Sequence, residues 1–183
     1  MVQSKPPPVD GGESTLRGSR IAVALATTLV SVLITTIASP PPLLLLWNTT
    51  ASVPVGLYVV TRAAPKLADL LAIRLPSALE AFAVSRAILS PNTPILKPVA
   101  AVAGDRVCRF GATVTINGRP VAIARRLDRY GRCLPLWEGC QRLSASQVFI
   151  LAPHPHSFDG RYFGPLHVHL ARGVAHALLT LAQ

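Results

Sequence analysis

The strongest indication of the fold class is the segment TVTINGRPVAI, residues 113–123. Two short runs rich in β-branched residues, 113–116 and 120–123, are separated by Asn117-Gly118, a dipeptide that readily adopts the positive φ angles of a tight turn. This pattern predicts a β-hairpin. Other short apolar runs of strand length occur at 55–60, 70–75 and 147–151. The sequence therefore predicts a mainly β fold.

The composition of the whole chain excludes several other classes of protein. Half of the 183 residues are hydrophobic and only 14% are charged, whereas soluble domains average about 25%. The mean hydropathy of +0.44 argues against a disordered chain and against a soluble enzyme of average composition. Seventeen prolines disfavour an all-helical bundle, because proline is costly inside helices. One helix is nevertheless predicted over 77–89, where apolar residues recur at helical spacing.

A long uncharged segment precedes the predicted strands. No acidic or basic residue occurs from Ile21 to Thr61, and residues 21–39 have the length that a bilayer core requires. We therefore expect a transmembrane signal anchor with an interfacial end at 21–47, after a disordered tail at 1–20. A cleavable signal peptide is the alternative, with a small-residue cleavage site at 36–38.

The remaining residues, 48–183, are expected to form one β domain on the far side of this anchor. Arg17 and Arg20 precede the uncharged segment, and basic residues next to a membrane span favour the cytoplasmic side. The prediction is a single-pass protein of the inner (cytoplasmic) membrane, with a cytoplasmic N-terminus and a periplasmic domain.

The net charge of +10 comes from scattered residues, 18 basic against 8 acidic. No run of five like charges occurs and no aromatic cluster interleaves with the basic residues, so nucleic acid is not an expected partner. An anionic membrane surface is the simplest partner for such a domain, and membrane lipid is therefore expected. Only three of the basic residues are lysines, Lys5, Lys66 and Lys97.

The chain contains three cysteines, all in the part predicted to be periplasmic. An oxidising compartment favours one disulfide and one free thiol, and we prefer the pair Cys108 and Cys140, which closes a long loop around the hairpin. Three free thiols, with Cys133 among them, are the alternative. The sequence has no Cys-x-x-Cys pair, and no carboxylate cluster accompanies its five histidines, so neither a metal nor another cofactor is expected.

A single lysine stands in the apolar run 94–105. Burial of an ammonium group is costly and lowers the pKa of a lysine, so a neutral amine can act as a general base near neutral pH. Arginine, which this chain uses almost everywhere else, cannot lose its proton in this way. Lys97 is therefore a candidate for catalysis, although an edge lysine that reaches water is the alternative.

A second candidate for chemistry is the hydroxyl-rich segment 48–58, which contains Ser52 and lies between the predicted anchor and the first predicted strand. A polar linker is the alternative interpretation. Ser157, His154 and Asp159 could supply a Ser-His-Asp triad, but no Gly-x-Ser-x-Gly pattern surrounds any serine. Taken together, the segments that contain Ser52 and Lys97 look like those of a Ser/Lys protease.

Three motifs in this order resemble those of the signal peptidase family of Ser/Lys proteases, in its TraF-type conjugative transfer branch. TASVPVGLY at 50–58 resembles the serine box, LKPVAAVAGD at 96–105 the lysine box, and SFDGRYFGP at 157–165 the third box. Pro98 departs from the family, which usually has a basic residue after the lysine. The resemblance extends from about Ile21 to the C-terminus.

The resemblance implies a role for each matching residue. Ser52 would be the nucleophile and Lys97 the neutral general base. Thr50 and the backbone N–H of Ser52 would stabilise the oxyanion. Asp159 would be an orienting or structural group beside the lysine, and Arg161 would pair with Asp159 or with Asp105.

The resemblance also implies a fold and a function. The fold would be a signal-peptidase-like antiparallel β domain preceded by one N-terminal transmembrane helix. The activity would be that of a serine endopeptidase on an exported precursor, and in this branch the precursor is the conjugative pilin subunit, which some members also cyclise. Components of a conjugative type IV secretion system are then possible partners. The alternatives are a housekeeping signal peptidase and an inactive, membrane-tethered assembly component.

Overall fold

The computed structural model describes residues 22–31, 44–50 and 52–181. Residues 22–31 are helical and form α1, and the chain divides into two units between Pro41 and Pro42. Among the described residues, no helix combines the length and the apolar character needed to cross a membrane. The predicted tail at 1–20 and much of the predicted anchor at 21–47 lie outside the described residues, so the anchor stays a prediction.

The second unit contains two antiparallel β-sheets, which confirms the mainly β prediction. The strands are β1 Leu44–Asn48, β2 Gly56–Thr61, β3 Leu70–Ile73, β4 Ile95–Ala101, β5 Arg106–Phe110, β6 Thr113–Ile116, β7 Arg119–Ile123, β8 Gly139–Arg142, β9 Gln147–Ile150, β10 Leu166–His167 and β11 Ala171–Thr180. One sheet has seven strands in the order β1-β2-β11-β3-β4-β9-β10, and the other has the order β7-β6-β5-β8. The helices of this unit are α2 Ser77–Ser85, α3 Gly160–Phe163 and a 3₁₀ turn at Val168–Leu170.

The predicted hairpin is confirmed as β6 and β7. Its turn residues Asn117 and Gly118 have φ angles of 51° and 80°, and two positive φ angles are what a type I′ turn requires. On the other side of β6, β5 pairs with β8 and brings Cys108 opposite Cys140. These two cysteines form a disulfide bond, and Cys133 is a free, exposed thiol.

Two elements differ from their predicted extents. Helix α2 ends at Ser85, earlier than predicted, because Ala87 has a φ of 54° and the Ile88 N–H donates to the Ala83 carbonyl oxygen. This bond and the positive φ define a Schellman motif, which ends a helix. Strand β1 begins at Leu44, so the sheet includes residues that the sequence assigned to the interfacial segment.

Strand β4 positions the predicted lysine. Ile95, Lys97 and Val99 are buried on one face of β4, because alternate residues of a strand point to the same side of the sheet. Ile95 and Val99 belong to a core cluster that also contains Phe158 and Tyr162. Lys97 therefore lies on the side of the sheet where the third box packs.

Candidate active site

The loop that carries Ser52 joins β1 to β2 and is held in place by a buried asparagine. Asn48 ends β1, and its Nδ2 lies 2.8, 3.0 and 3.0 Å from the carbonyl oxygens of Thr50, Val53 and Pro54, to which it donates. Because the amide contacts carbonyl groups on both sides of Ser52, it fixes the curvature of the loop. The serine is therefore held by the backbone around it.

Thr50 lies beside Ser52. The two hydroxyl oxygens are 3.4 Å apart. The Thr50 hydroxyl and its backbone N–H both donate to Asn48 Oδ1, at 2.9 and 3.2 Å. Because the Thr50 proton points at Asn48, this hydroxyl must turn away from Asn48 before it can donate to an oxyanion.

The glycine of the serine box allows two strands to approach closely. A Cβ atom on Gly56 would overlap the carbonyl oxygen of Leu179 in β11. Tyr58, two residues later, donates its hydroxyl to the Pro54 carbonyl oxygen at 2.7 Å. The Gly-Leu-Tyr part of this motif therefore shapes the loop and its contact with the sheet.

Lys97 is only 5% exposed. Burial lowers the pKa of Lys97 to about 8, while the negative charge of Asp159 acts in the opposite direction and the positive charge of Arg161 lowers it further. A lysine with such a pKa is partly neutral near pH 7 to 8, which is the form needed for a general base.

Ser52 and Lys97 line one cavity of about 960 Å³, together with Thr50 and Asn48. The hydrogen bonds of the described residues include none between the Ser52 hydroxyl and the Lys97 amine. Catalytic hydrogen bonds are often long in a free enzyme and shorten when the substrate binds. The structure thus brings both predicted residues to one cavity.

Asp159 and Arg161 form a buried ion pair beside the cavity. Asp159 Oδ1 accepts from Arg161 Nε at 2.8 Å, and Oδ2 accepts from Nη2 at 3.1 Å. Asp159 also accepts from the backbone of Ala152, and Arg161 donates to the carbonyl oxygens of Ala152 and Pro155. Of the two partners that the sequence allowed for Arg161, the structure gives Asp159, whereas Asp105 accepts from Val102 and Asn117.

The family profile described as "Signal peptidase, peptidase S26" matches residues 17–180. The chain belongs to the signal peptidase family. The match includes all three boxes, and the serine and lysine of the first two reach the same cavity.

Relatives named as TraF transfer proteins confirm the predicted TraF-type branch. The probable conjugal transfer protein TraF of Sinorhizobium fredii is 39% identical over 102 residues, which are 53% of this chain and 53% of that protein. The match therefore spans about half the length of that relative. The plasmid transfer protein TraF of Escherichia coli is 31% identical over 145 residues, which are 73% of this chain and 81% of that protein.

Among solved structures, a signal peptidase I from Enterococcus faecalis V583 matches with 18% identity and a TM-score of 0.36. The match covers 62% of this chain and 98% of the other.

Sequence reasoning did not predict that Ser157 lines the cavity of Ser52 and Lys97. Its hydroxyl is buried and has no hydrogen-bond partner among the described residues. Ser157 lines the same cavity as Lys97. A buried hydroxyl without a partner is costly, so Ser157 is available for an amine in the cavity. The signal in the sequence was its position in the third box, two residues before Asp159.

The structure does not assemble the Ser-His-Asp alternative. The His154 Nδ1 accepts from the His156 N–H, and both Asp159 oxygens bind Arg161. No hydrogen bond therefore joins the side chain of His154 to that of Ser157 or Asp159 in the described structure. In the parts of the chain that the structure describes, no group of three or more His, Cys, Asp or Glu side chains is placed to hold a metal ion.

Proposed function

We propose that this protein is a serine endopeptidase in which Ser52 is the nucleophile and Lys97 the general base. The observation that carries the proposal is the cavity that Ser52 shares with a buried lysine whose pKa is lowered to about 8. Membership of the signal peptidase family supports the same chemistry. No cofactor is required for it.

The reaction follows from the two side chains. The Lys97 amine accepts the proton of Ser52 Oγ while Oγ bonds to the scissile carbonyl carbon. The backbone N–H of Ser52 and the Thr50 hydroxyl donate to the developing oxyanion. The C–N bond then breaks, and the proton on Lys97 passes to the leaving amine. An acyl-enzyme on Ser52 remains.

The second half of the reaction decides the product. Water, deprotonated by Lys97, releases a linear carboxylic acid. An N-terminal amine of the same polypeptide releases a ring instead, because aminolysis replaces the ester by an amide. Both outcomes use the same residues, so a cyclic product requires no further catalytic group.

The proposed substrate is an exported precursor, the conjugative pilin subunit. The names of the Sinorhizobium fredii and Escherichia coli relatives, which refer to conjugal and plasmid transfer, support a role in conjugation. Conjugative secretion components are proposed as further partners. A housekeeping signal peptidase and an inactive assembly component remain the two alternatives that the experiment below separates.

The proposed location is the inner membrane, with α1 in a single-pass anchor, a cytoplasmic N-terminus and a periplasmic peptidase domain. The disulfide between Cys108 and Cys140 supports an oxidising compartment.

An apolar outer face on strands β1, β2 and β11 supports contact with lipid. Leu45, Trp47 and Leu179 lie on it and are 60%, 54% and 60% exposed. Trp47 also lines the cavity of Ser52, so this face borders the proposed active site.

Coexpression of the full chain with a candidate pilin precursor tests the proposal. Intact-mass spectrometry should show a trimmed pilin with wild type and an uncut precursor with Ser52→Ala or Lys97→Ala. Arg119→Gln is the control, because Arg119 is exposed on β7 and does not line the cavity. A mass lower by one water would identify the ring.

The same experiment separates the alternatives. Cleavage by either variant would reject the dyad. Equal cleavage of unrelated secretory precursors would favour a housekeeping peptidase. Absence of any cleavage, combined with pilus assembly that depends on the protein, would favour the inactive component.

A further inference from the structure

One wall of the cavity is rich in arginine. Arg86 from the turn after α2 and Arg125, Arg129 and Arg132 from the segment after β7 line the cavity that contains Ser52 and Lys97. Among the described residues lining the cavity, Asp128 is the single carboxylate. The wall therefore carries an excess of positive charge, and two of its members, Arg125 and Arg129, are exposed to solvent.

Asp128 organises this wall and binds two of the four arginines. Its Oδ2 accepts from Arg132 Nε at 2.7 Å and from Arg86 Nη1 at 3.3 Å. Its Oδ1 accepts from the backbone N–H groups of Tyr130 and Arg132. The turn that follows Asp128 is therefore fixed, and both of its carboxylate oxygens are already engaged.

The other two arginines have no carboxylate partner among the residues that the structure describes. Within the described part of the chain, no ion pair involves Arg125 or Arg129. Arg125 Nη2 lies 3.4 Å from His156 Nε2. The guanidinium of Arg129 stacks over the Tyr130 ring, 4.7 Å from its centroid, and Arg132 lies 4.9 Å from the same ring. Stacking on an aromatic face restricts a guanidinium without neutralising it.

We propose that Arg125 and Arg129 form a specificity site for a carboxylate of the precursor peptide, a proposal that rests on the peptidase function above. Guanidinium groups bind carboxylates through charge-assisted hydrogen bonds, and these two have donors that no acid of the described chain uses. Because they line the same cavity as the nucleophile, the carboxylate belongs to the polypeptide being cut. It is either an acidic side chain near the scissile bond or a free C-terminus.

Synthetic peptides distinguish these two sources. The set has alanine before the scissile bond and carries Glu, Gln or Lys at one position at a time on either side of it. Each peptide is made with a free or an amidated C-terminus. With the full chain in detergent, we expect kcat/KM to be roughly two- to fivefold higher for Glu than for Gln at one position, mainly through KM. If the C-terminus is the ligand, amidation causes this loss instead.

Arginine variants test the site itself. Arg125→Gln combined with Arg129→Gln should bring the Glu to Gln ratio of kcat/KM close to one, whereas Arg119→Gln should keep the ratio of wild type. Arg125→Glu combined with Arg129→Glu should reverse the preference toward Lys. The preference should also decline with salt, because the Debye length falls to about 3 Å at 1 M.

A binding measurement separates this site from the catalytic proposal. Fluorescence anisotropy of the same peptides on the Ser52→Ala variant reports recognition without turnover. Tighter binding of the carboxylate peptide, lost in the arginine variants, supports the site even if no peptide is cleaved. Equal affinity for acidic and neutral peptides overturns it even if cleavage is normal. An arginine effect seen only on vesicles of anionic lipid would also overturn it, because the ligand would then be a headgroup.

Discussion

Asp159 holds the guanidinium of Arg161 with both carboxylate oxygens, and both side chains are buried. The pair ties the loop after β9 to α3, because Asp159 accepts from the Ala152 N–H while Arg161 donates to the Ala152 carbonyl oxygen. Ser157 lies in the loop between Ala152 and Asp159. The ion pair therefore fixes a wall of the cavity, and this geometry predicts a structural role for Asp159.

Replacement of Asp159 by Asn should destabilise the fold. It leaves the buried Arg161 charge without its counter-charge, and breaking one side of a buried pair typically costs about 3–5 kcal/mol. Urea unfolding of the full chain in detergent, followed by tryptophan fluorescence, would measure the loss, with Arg119→Gln as the control. A variant that is inactive but as stable as wild type would instead indicate that Asp159 acts directly in catalysis.

The buried Lys97 amine predicts a pH profile. Below a pKa of about 8 the general base is protonated, so kcat/KM should rise about tenfold per pH unit and level off above that value. Initial rates on a peptide substrate from pH 6 to 10 would measure this. Lys97→Arg is the matched variant, because it keeps the charge, cannot lose a proton and should be inactive at every pH. A flat profile for wild type would contradict the assignment of Lys97.

The same lysine should reduce stability at neutral pH. Its pKa falls from 10.5 to about 8 on folding, so the unfolded chain binds more protons between these values. The free energy of unfolding therefore rises with pH through that window. Below pH 8 the buried charge lowers it by the full amount of about 3 kcal/mol. Lys97→Met should be more stable than wild type by about this amount at pH 7, although inactive.

The pH dependence of this difference is the stricter check. The stability advantage of Lys97→Met should shrink as the pH rises from 8 to 10.5, because wild type no longer carries a buried charge there. Urea unfolding at several pH values would measure it. An advantage that does not change with pH would mean that better packing, and not the removal of a charge, stabilises the variant.

Local signals explain what the sequence could predict. Asn117 and Gly118 have positive φ angles, which asparagine and glycine adopt more easily than other residues. The hairpin could therefore be predicted from these two residues. Strand β11 was missed, although it pairs with β2 on one side and β3 on the other, because its position depends on contacts far away in the chain. Glycine and alanine interrupt its apolar pattern, and no local preference marks it as a central strand.

The site shows the same division between local and distant causes. Ser52 and Lys97 were found because they stand in motifs that resemble a family. The function of Asn48 depends on three carbonyl groups that only the folded loop presents to it. In the arginine-rich wall, Arg86 lies near the segment that begins at Arg125, and no spacing in the sequence predicts that these residues line one cavity.

Ser157 provides the last prediction, because its buried hydroxyl has no partner among the described residues and lines the cavity of Lys97. We expect it to orient the Lys97 amine when substrate is bound, so Ser157→Ala should lower kcat/KM by about 10- to 100-fold, which corresponds to about 1.4–2.7 kcal/mol. The variant should be no less stable than wild type, since it removes a hydroxyl that makes no hydrogen bond in the described structure. Peptide cleavage across pH 6 to 10 and urea unfolding would measure both effects, and the pH profile should shift as the surroundings of Lys97 change. Unchanged activity and pH profile would show that Ser157 only fills space, whereas lower stability with normal activity would show a purely structural role.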